Sequence, residues 1–129
     1  MPPAALPPDE AARLAALRRL GVLDTPPDTA LDDLARVAAL LCGTPMALVS
    51  LVDQHRQWFK ARVGFEACES ARDAAFCAHA ILETALLEVA DTQADPRFAD
   101  NPLVTGPPHV RFYAGVPLRD GDGLALGTL

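Results

Sequence analysis

The sequence is poor in basic residues and has no long apolar run. Its 11 lysines and arginines stand against 17 aspartates and glutamates, for a formal net charge of −6. Because binding to a phosphate backbone requires clustered Lys and Arg, this balance argues against a nucleic-acid surface. No segment has the length of apolar sequence that spans a bilayer, and no basic region precedes an apolar core at the N-terminus. We therefore expect a cytoplasmic protein with no membrane segment in this stretch.

Cysteine is scarce. The three cysteines, Cys42, Cys68 and Cys77, are odd in number and form no CxxC pair. This argues against a disulfide framework and against a tetrahedral zinc site. We expect reduced thiols, with Cys42 packed in a core.

The remaining composition indicates one folded domain behind an N-terminal extension. Half of the 129 residues are hydrophobic, enough for one core. Residues 1–8 contain four prolines, and we expect a poorly ordered leader there. A helix capped by Asp9 is predicted over 9–20, ended by Gly21. Its apolar stripe, which needs a partner in the domain's own flank or in a second subunit, consists of Leu14, Leu17 and Leu20.

Hydrophobic periodicity places the other elements. It predicts helices at 29–41 and 73–84, and strands at 46–52, 58–63, 86–90, 110–118 and 124–129. Thr29 and Asp73 are the expected N-caps of the two helices. The strands at 46–52 and 58–63 form a predicted antiparallel hairpin, and the Asp-Gly-Asp-Gly turn at 120–123 predicts another. That turn superficially resembles a calcium loop, but it lacks the bidentate Glu that such a loop requires.

The stretch 95–115 is a long polar connection that leads into a strand. Asp95 and Pro96 predict a helix start, and Pro102 pushes Asn101 out of the helical region. After a Gly-Pro-Pro breaker, an apolar strand face is predicted for Val110, Phe112, Ala114 and Val116. Loops of this kind, held on a rigid strand, are typical of binding sites. The alternative is a surface connection held in place by its prolines.

The last predicted strand has no terminating residue, and we expect the sequence to be a fragment of a longer protein. Five ordered blocks then suggest a family. They are LGVLDTPP at 20–27, ALVSLVD at 47–53, RQWFK at 56–60, FCAHAI at 76–81 and NPLVTG at 101–106. Together they resemble a GAF domain, and more narrowly the bacterial GAF subgroup found in sensor histidine kinases and diguanylate cyclases.

The resemblance implies an α+β fold. It has a PAS-like central antiparallel β-sheet flanked by helices, whose first strand pairs with both the second and the last strand. It also implies a further C-terminal strand segment and helix, truncated here. We divide the chain into a leader and linker helix at 1–24 and a GAF domain at 25–129. Two departures from the family pattern are local: Ser70-Ala71-Arg72 replaces a common Thr-Pro-Arg, and Ala75 replaces a common Ser that could cap a helix.

The implied function is a sensory, regulatory domain with a small-molecule pocket and no catalytic or metal-binding residues. The sequence does not name the ligand or a cofactor. Arg111 can hold an anionic group, and Trp58, on the polar side of its strand, is expected in a pocket or interface rather than in the core. The candidate ligand-binding residues are Trp58, Phe76, Cys77, His79, Asp91, Asn101, Arg111 and Tyr113.

A thiol-based function is a weaker alternative. Cys77 and His79, two apart on a predicted helix, point in opposite directions and form no nucleophile–base pair. His79 and Glu83, four apart, can meet. We favour a core role for Cys77 over redox sensing or ligand contact. The cysteine pattern of methionine sulfoxide reductases is not visible, and Ala78 interrupts the Cys-His pair of plant phytochromes.

The sequence therefore predicts the input module of a histidine kinase or diguanylate cyclase. Its expected partners are a small-molecule ligand, a downstream output domain and a second copy in a homodimer. A dimerisation module that binds no ligand, built on the helix at 9–20, is the main alternative. A redox sensor or an enzyme that uses Cys77 or Cys68 is less favoured, because no companion base is identifiable.

Overall fold

A five-stranded antiparallel sheet organises the chain in the computed structural model, which describes residues 3–129. Its strand order is β3-β2-β1-β7-β6, and a separate two-stranded ribbon pairs β4 with β5. The strands are β1 (Ala47–Val52), β2 (Arg56–Val63), β3 (Glu69–Ala71), β4 (Leu87–Val89), β5 (Tyr113–Gly115), β6 (Pro117–Arg119) and β7 (Ala125–Thr128). The helices are α1 (Glu10–Leu20), α2 (Thr29–Cys42), α3 (Phe76–Ala80) and α4 (Pro102–Thr105), with a 3₁₀ turn at Arg72–Ala74 before α3. The central place of β1, between β2 and β7, confirms the expected topology.

Alternate residues of β1 and β7 divide the core into two layers. On one face, Leu51 and Leu126 pack with Leu17 of α1 and with Trp58. On the other face, Val52 and Ala125 pack with residues of α3. This alternation is the ordinary consequence of a strand whose two faces are both covered.

The first two helices lie on the same face of the sheet. Gly21 and Gly43 end them in the left-handed conformation, with φ of 61° and 64°, as the sequence predicts. Asp28, rather than Thr29, caps α2, because its carboxylate accepts the free N–H groups of Ala30 and Leu31. Asp9 makes no side-chain cap bond.

The stripe predicted for α1 is only partly buried. Leu14 and Leu17 are buried, and Leu20 is exposed. Pro7 is also buried, and Ala4 packs against the core, so this part of the predicted leader contacts the domain. Met1 and Pro2 lie outside the described residues.

The predicted helix at 73–84 is wrong in its extent. Residues 69–71 form β3 within a predicted loop, and α3 covers only 76–80. Ala75 precedes α3 in extended conformation, with ψ of 125° and no side-chain cap, in place of the Asp73 cap expected from sequence. After Ala80 the backbone tightens into i to i+3 bonds, such as Glu83 N–H to the Ala80 carbonyl at 3.0 Å.

The predicted strand at 110–118 is wrong in two respects. It splits into β5 and β6, which belong to different sheets. The predicted apolar face is also inverted over most of its length: Phe112, Ala114 and Val116 are exposed, while Gly115 is buried and Tyr113 is half-buried. The reason is that the Tyr113 ring finds an aromatic partner in Phe76 beneath the ribbon.

Other local predictions hold. In the turn at 120–123, Asp120 Oδ1 accepts the N–H groups of Asp122 and Leu124. Asn101 is extended, with ψ of 136°, as expected before a proline, and it caps α4, a helix that the sequence did not predict.

Three charged residues, the Glu10 ion cluster (Glu10, Arg13 and Arg72), fix the start of α1 to the sheet. The Glu10 carboxylate accepts two bonds from Arg13, both 3.0 Å, and two from Arg72, at 2.5 and 3.2 Å. The exposed fractions of the Arg13 and Arg72 side chains are 0% and 8%, and that of Glu10 is 16%. Both arginines also donate to carbonyls at the end of β1: Arg13 to Val52 at 2.6 Å and Arg72 to Asp53 at 3.0 Å.

The Glu10 ion cluster predicts a specific loss of stability in acid. Burial raises the pKa of Glu10, but the bonds from Arg13 and Arg72 outweigh this and lower the pKa from 4.5 to about 2. Because the folded-state pKa is the lower one, the contribution is fully present above pH 4.5 and is lost as the pH falls toward 2. At about 1.4 kcal/mol per pH unit it amounts to about 3 kcal/mol. Urea unfolding followed by Trp58 fluorescence should show that the E10Q variant lacks this part of the acid sensitivity.

The matched control is D33N, which removes the exposed α2 ion pair between Asp33 and Arg36. Such a surface pair contributes little, so D33N should unfold like the wild type at every pH. Equal loss of stability in the wild type and E10Q between pH 4.5 and 2 would contradict this account of Glu10.

Candidate functional site

An aromatic cluster fills the space between α3, the 95–115 connection and β5. The Phe76 ring lies between two others, stacked on Phe98 at 4.5 Å and on Tyr113 at 5.0 Å between ring centroids. The His79 ring meets Phe98 edge-on at 4.9 Å. Stacked and edge-on rings at these distances are favourable beyond the area they bury. We call these four residues the aromatic cluster.

His79 is the polar member of the aromatic cluster. Its Nε2 atom is buried and has no hydrogen-bond partner within residues 3–129. Burial, with a smaller effect of the Arg97 charge, lowers the pKa of His79, and Asp95 opposes the shift. The imidazole is therefore neutral at pH 7. The sequence places His79 and Glu83 four residues apart on one helix, where their side chains could meet. In the structure they do not share a helix, because α3 ends at Ala80.

Tyr113 closes the aromatic cluster on the sheet side. Burial raises the pKa of its hydroxyl, with a smaller opposing effect of the Thr128 side chain. The hydroxyl lies against Gly115, where a Cβ would come within 2.2 Å of it. Only glycine at 115 leaves room for the tyrosine in this position.

Cys77 points into the core beside the aromatic cluster. Its thiol donates to Gln57 Oε1 at 2.8 Å. Burial raises the pKa of the thiol to about 12, with smaller opposing effects from backbone hydrogen bonds and nearby arginines. The thiol is thus protonated at neutral pH, and a protonated, buried thiol is a poor nucleophile.

Asn101 connects the aromatic cluster to the turn before α3. It is fully buried, and its Nδ2 donates to the Ala74 carbonyl at 2.9 Å. Its Oδ1 accepts the Leu103 N–H at 2.8 Å, which caps α4. Asn101 therefore holds the turn before α3 and the start of α4 together. Its place before Pro102 in the sequence indicates only the second of these roles.

The structure places the other candidate residues elsewhere. Trp58 is buried beneath α1 with Leu51 and Leu126, which corrects the expectation that it would avoid the core. Arg111 is exposed and donates to the carbonyls of Val104 and Val110. Asp91 is exposed and caps the Gln93 N–H. Their ligand-binding roles stay predictions.

Sequence reasoning missed Phe98, the fully buried ring at the outer end of the stack. Its neighbours Pro96 and Arg97 made the segment look like a polar loop. The only signal was an isolated aromatic residue between charged ones, with no period to support it.

Two cavities of the domain lie outside the aromatic cluster. One, of about 290 Å³, is lined by Glu10, His55 and Arg72 among others. A second, also about 290 Å³, lies beside Asp73 and Pro102. None of the predicted ligand-binding residues lines either cavity. Within residues 3–129, no group of three or more His, Cys, Asp or Glu side chains is arranged to hold a metal ion, and no helix is long and apolar enough to cross a bilayer.

A central antiparallel sheet, with α1 and α2 on one face and α3 and the aromatic cluster on the other, defines an α+β domain. Comparison with known proteins then gives the family. The GAF domain family matches residues 26–129, and the chain belongs to that family.

Individual relatives agree. The chain is 45% identical over 123 residues to a cyclic di-GMP phosphodiesterase of Pseudomonas aeruginosa, a match that covers 95% of this chain and 21% of that protein. The chain therefore spans about a fifth of the length of this curated relative. Among solved structures, the fold is similar to the NLH2 GAF domain of A. aeolicus in an inactive state, with a TM-score of 0.59 and 11% identity over 93% of this chain and 76% of that one. A type II free methionine-R-sulfoxide reductase from Thermoplasma acidophilum gives a TM-score of 0.61 and 14% identity over 87% and 73% of the two chains.

The exposure of each of the three thiols to solvent predicts its reactivity. Cys42 is exposed, so the core position expected for it from the sequence is wrong; Cys68 is also exposed, and Cys77 is buried. Titration of the native protein with a thiol reagent at pH 8 should modify Cys42 and Cys68 rapidly and Cys77 only after denaturation. The C77S variant should therefore show the same rapid phase as the wild type. A rapid phase that C77S diminishes would mean that Cys77 is reactive in the folded protein.

Proposed function

We propose that this chain is a non-catalytic regulatory domain that senses a small molecule and controls an output domain acting on cyclic di-GMP. The similarity to a cyclic di-GMP phosphodiesterase, at 45% identity over nearly the whole chain, supports this class of output. The diguanylate cyclase output expected from sequence acts in the same signalling chemistry. A histidine kinase remains the alternative output, and a cytoplasmic location belongs to the same proposal.

The single observation that carries the ligand-binding part is the unpartnered Nε2 of His79 against stacked rings. A buried polar atom without a hydrogen bond costs about 1–3 kcal/mol, so a ligand that bonds to it gains that amount. A planar molecule can replace one ring of the stack and keep the stacking contacts. We therefore place the ligand in the aromatic cluster, where Phe98 or Tyr113 moves aside on binding.

Native mass spectrometry of the protein, purified without denaturation from its source cells, tests this proposal. We expect a species heavier than the polypeptide, whose extra mass disappears under denaturing conditions. H79L and F76L should lower its occupancy, because they remove the polar partner and the central ring on which the ligand stacks. D33N, in the exposed ion pair of α2, should retain it. A wild-type spectrum with the bare polypeptide alone would contradict ligand binding.

A second candidate function, homodimerisation, is favoured by the surface of α2. Four apolar side chains of this helix are exposed, and they are Leu34 at 46%, Val37 at 48%, Leu40 at 81% and Leu41 at 83%. We call them the α2 stripe. Exposed apolar stripes on helices mark protein contacts. The α1 helix, predicted for this role, instead buries Leu14 and Leu17 within its own domain.

Light scattering after size exclusion, over a series of protein concentrations, tests the α2 stripe. We expect a dimer for the wild type and a monomer for a Leu40→Glu, Leu41→Glu double variant, because two charges in an apolar contact cannot be desolvated cheaply. The control L86E changes an exposed leucine on the segment after α3 and should stay dimeric. A monomeric wild type throughout the series would contradict the proposal.

A further inference from the structure

The Glu10 ion cluster joins two parts of the domain that are 62 residues apart in sequence. Glu10 and Arg13 belong to the first turn of α1, which packs on one face of the sheet. Arg72 begins the 3₁₀ turn that leads into α3 on the other face. One carboxylate therefore connects the N-terminal helix with the wall of the aromatic cluster.

The connection from Arg72 to the aromatic cluster is short and stiff. The Arg72 carbonyl accepts the Ala75 N–H at 3.0 Å, and Phe76 follows at once as the first residue of α3. The Ala74 carbonyl accepts a bond from the buried Asn101, whose own N–H donates to the Phe98 carbonyl. These bonds connect the segments that carry Phe76 and Phe98 to the turn that begins at Arg72.

The first turn of α1 depends on the same cluster. Asp9 gives this turn no side-chain cap. The apolar contacts of α1 with the sheet come from Ala16 and Leu17, further along the helix. Arg13 is fully buried, and its guanidinium is bonded to Glu10 and the Val52 carbonyl. If Glu10 lost Arg72, the balance of buried charge around Arg13 would change as well.

The ion pair also has room to open. Glu10 and Arg72 both line the open cavity of about 290 Å³ between the N-terminal residues and the β1–β2 turn. Water can therefore solvate both charged groups when they separate, which keeps the open state accessible. Two arrangements of a single ion pair, closed and solvated, are the kind of element that couples distant sites.

We propose that the Glu10 ion cluster is a conformational switch: displacement of the turn before α3 separates Arg72 from Glu10 and releases the first turn of α1. This rests on the proposed regulatory function and names the route by which a change at the aromatic cluster leaves the domain through its N-terminal helix. The coupling is reciprocal, so a partner that holds α1 also holds the turn before α3.

Hydrogen–deuterium exchange of the full chain tests the coupling. R72Q should raise the exchange of α1 amides about tenfold to a hundredfold, the range expected when a bond between charged groups is lost. R72K, which keeps the charge but not the two-pronged geometry, should restore part of the protection. Amides of α2 (Thr29–Cys42) serve as the internal reference and should not change. Faster exchange confined to 72–81, with α1 as in the wild type, would overturn the proposal.

A second comparison distinguishes an ion cluster that passes a displacement on to α1 from one that only stabilises α1. N101A removes the bond to the Ala74 carbonyl and should raise α1 exchange in the wild-type background but not further in E10Q, where the cluster is already open. D33N serves as the matched background, because like E10Q it removes one negative charge. N101A should act in D33N as it does in the wild type. If N101A does not fold, F98L perturbs the same wall. The switch would be overturned if N101A or F98L raised the exchange of α1 amides equally in the wild type, E10Q and D33N, or did not change it at all. No ligand or dimer enters this measurement, so its failure is distinguishable from failure of the proposed function.

Discussion

Strand β1 is confined on all four sides. Its backbone bonds to β2 along one edge and to β7 along the other, so neither edge is free. Its side chains alternate between Leu51, beneath the helices, and Val52, beneath α3. The close approach of β7 requires Gly127, where a Cβ would lie 1.8 Å from the Ser50 carbonyl oxygen. Strands β2 and β7 and helices α2 and α3 are placed by direct contact with this strand.

Patterns that depend on neighbours in sequence were predictable. The hairpin of β1 and β2, the turn at 120–123 and the glycine ends of α1 and α2 each depend on residues within a few positions. The length of α3 did not follow from sequence, because Leu82, Glu83 and Ala85, which come after Ala80, favour a helix that tertiary packing ends early. The face of β5 was inverted for a similar reason, since Phe76 lies 37 residues before Tyr113 and attracts its ring.

The candidate site shows the same division. Phe76, His79 and Tyr113 could be named from sequence, and the structure brings them together. Trp58 was assigned to the wrong side because α1, which covers it, was expected to act as a linker. Phe98 and the role of Asn101 were beyond sequence reasoning, because both depend on contacts of the 95–115 connection with the segment before and within α3.

In the function proposed above, these contacts would let a small molecule act on a tightly packed aromatic cluster. The aromatic cluster is held by stacking, which tolerates exchange of one ring for another planar group at modest cost. The Glu10 ion cluster is held by directional hydrogen bonds between charged groups, whose strength falls steeply when their geometry changes. The end of β1 lies between the two, since Arg13 and Arg72 both donate to its last carbonyls. In the proposed switch, the stacked rings on one face and the charged bonds on the other are connected through the turn before α3, so that a small displacement of a ring would release the first turn of α1.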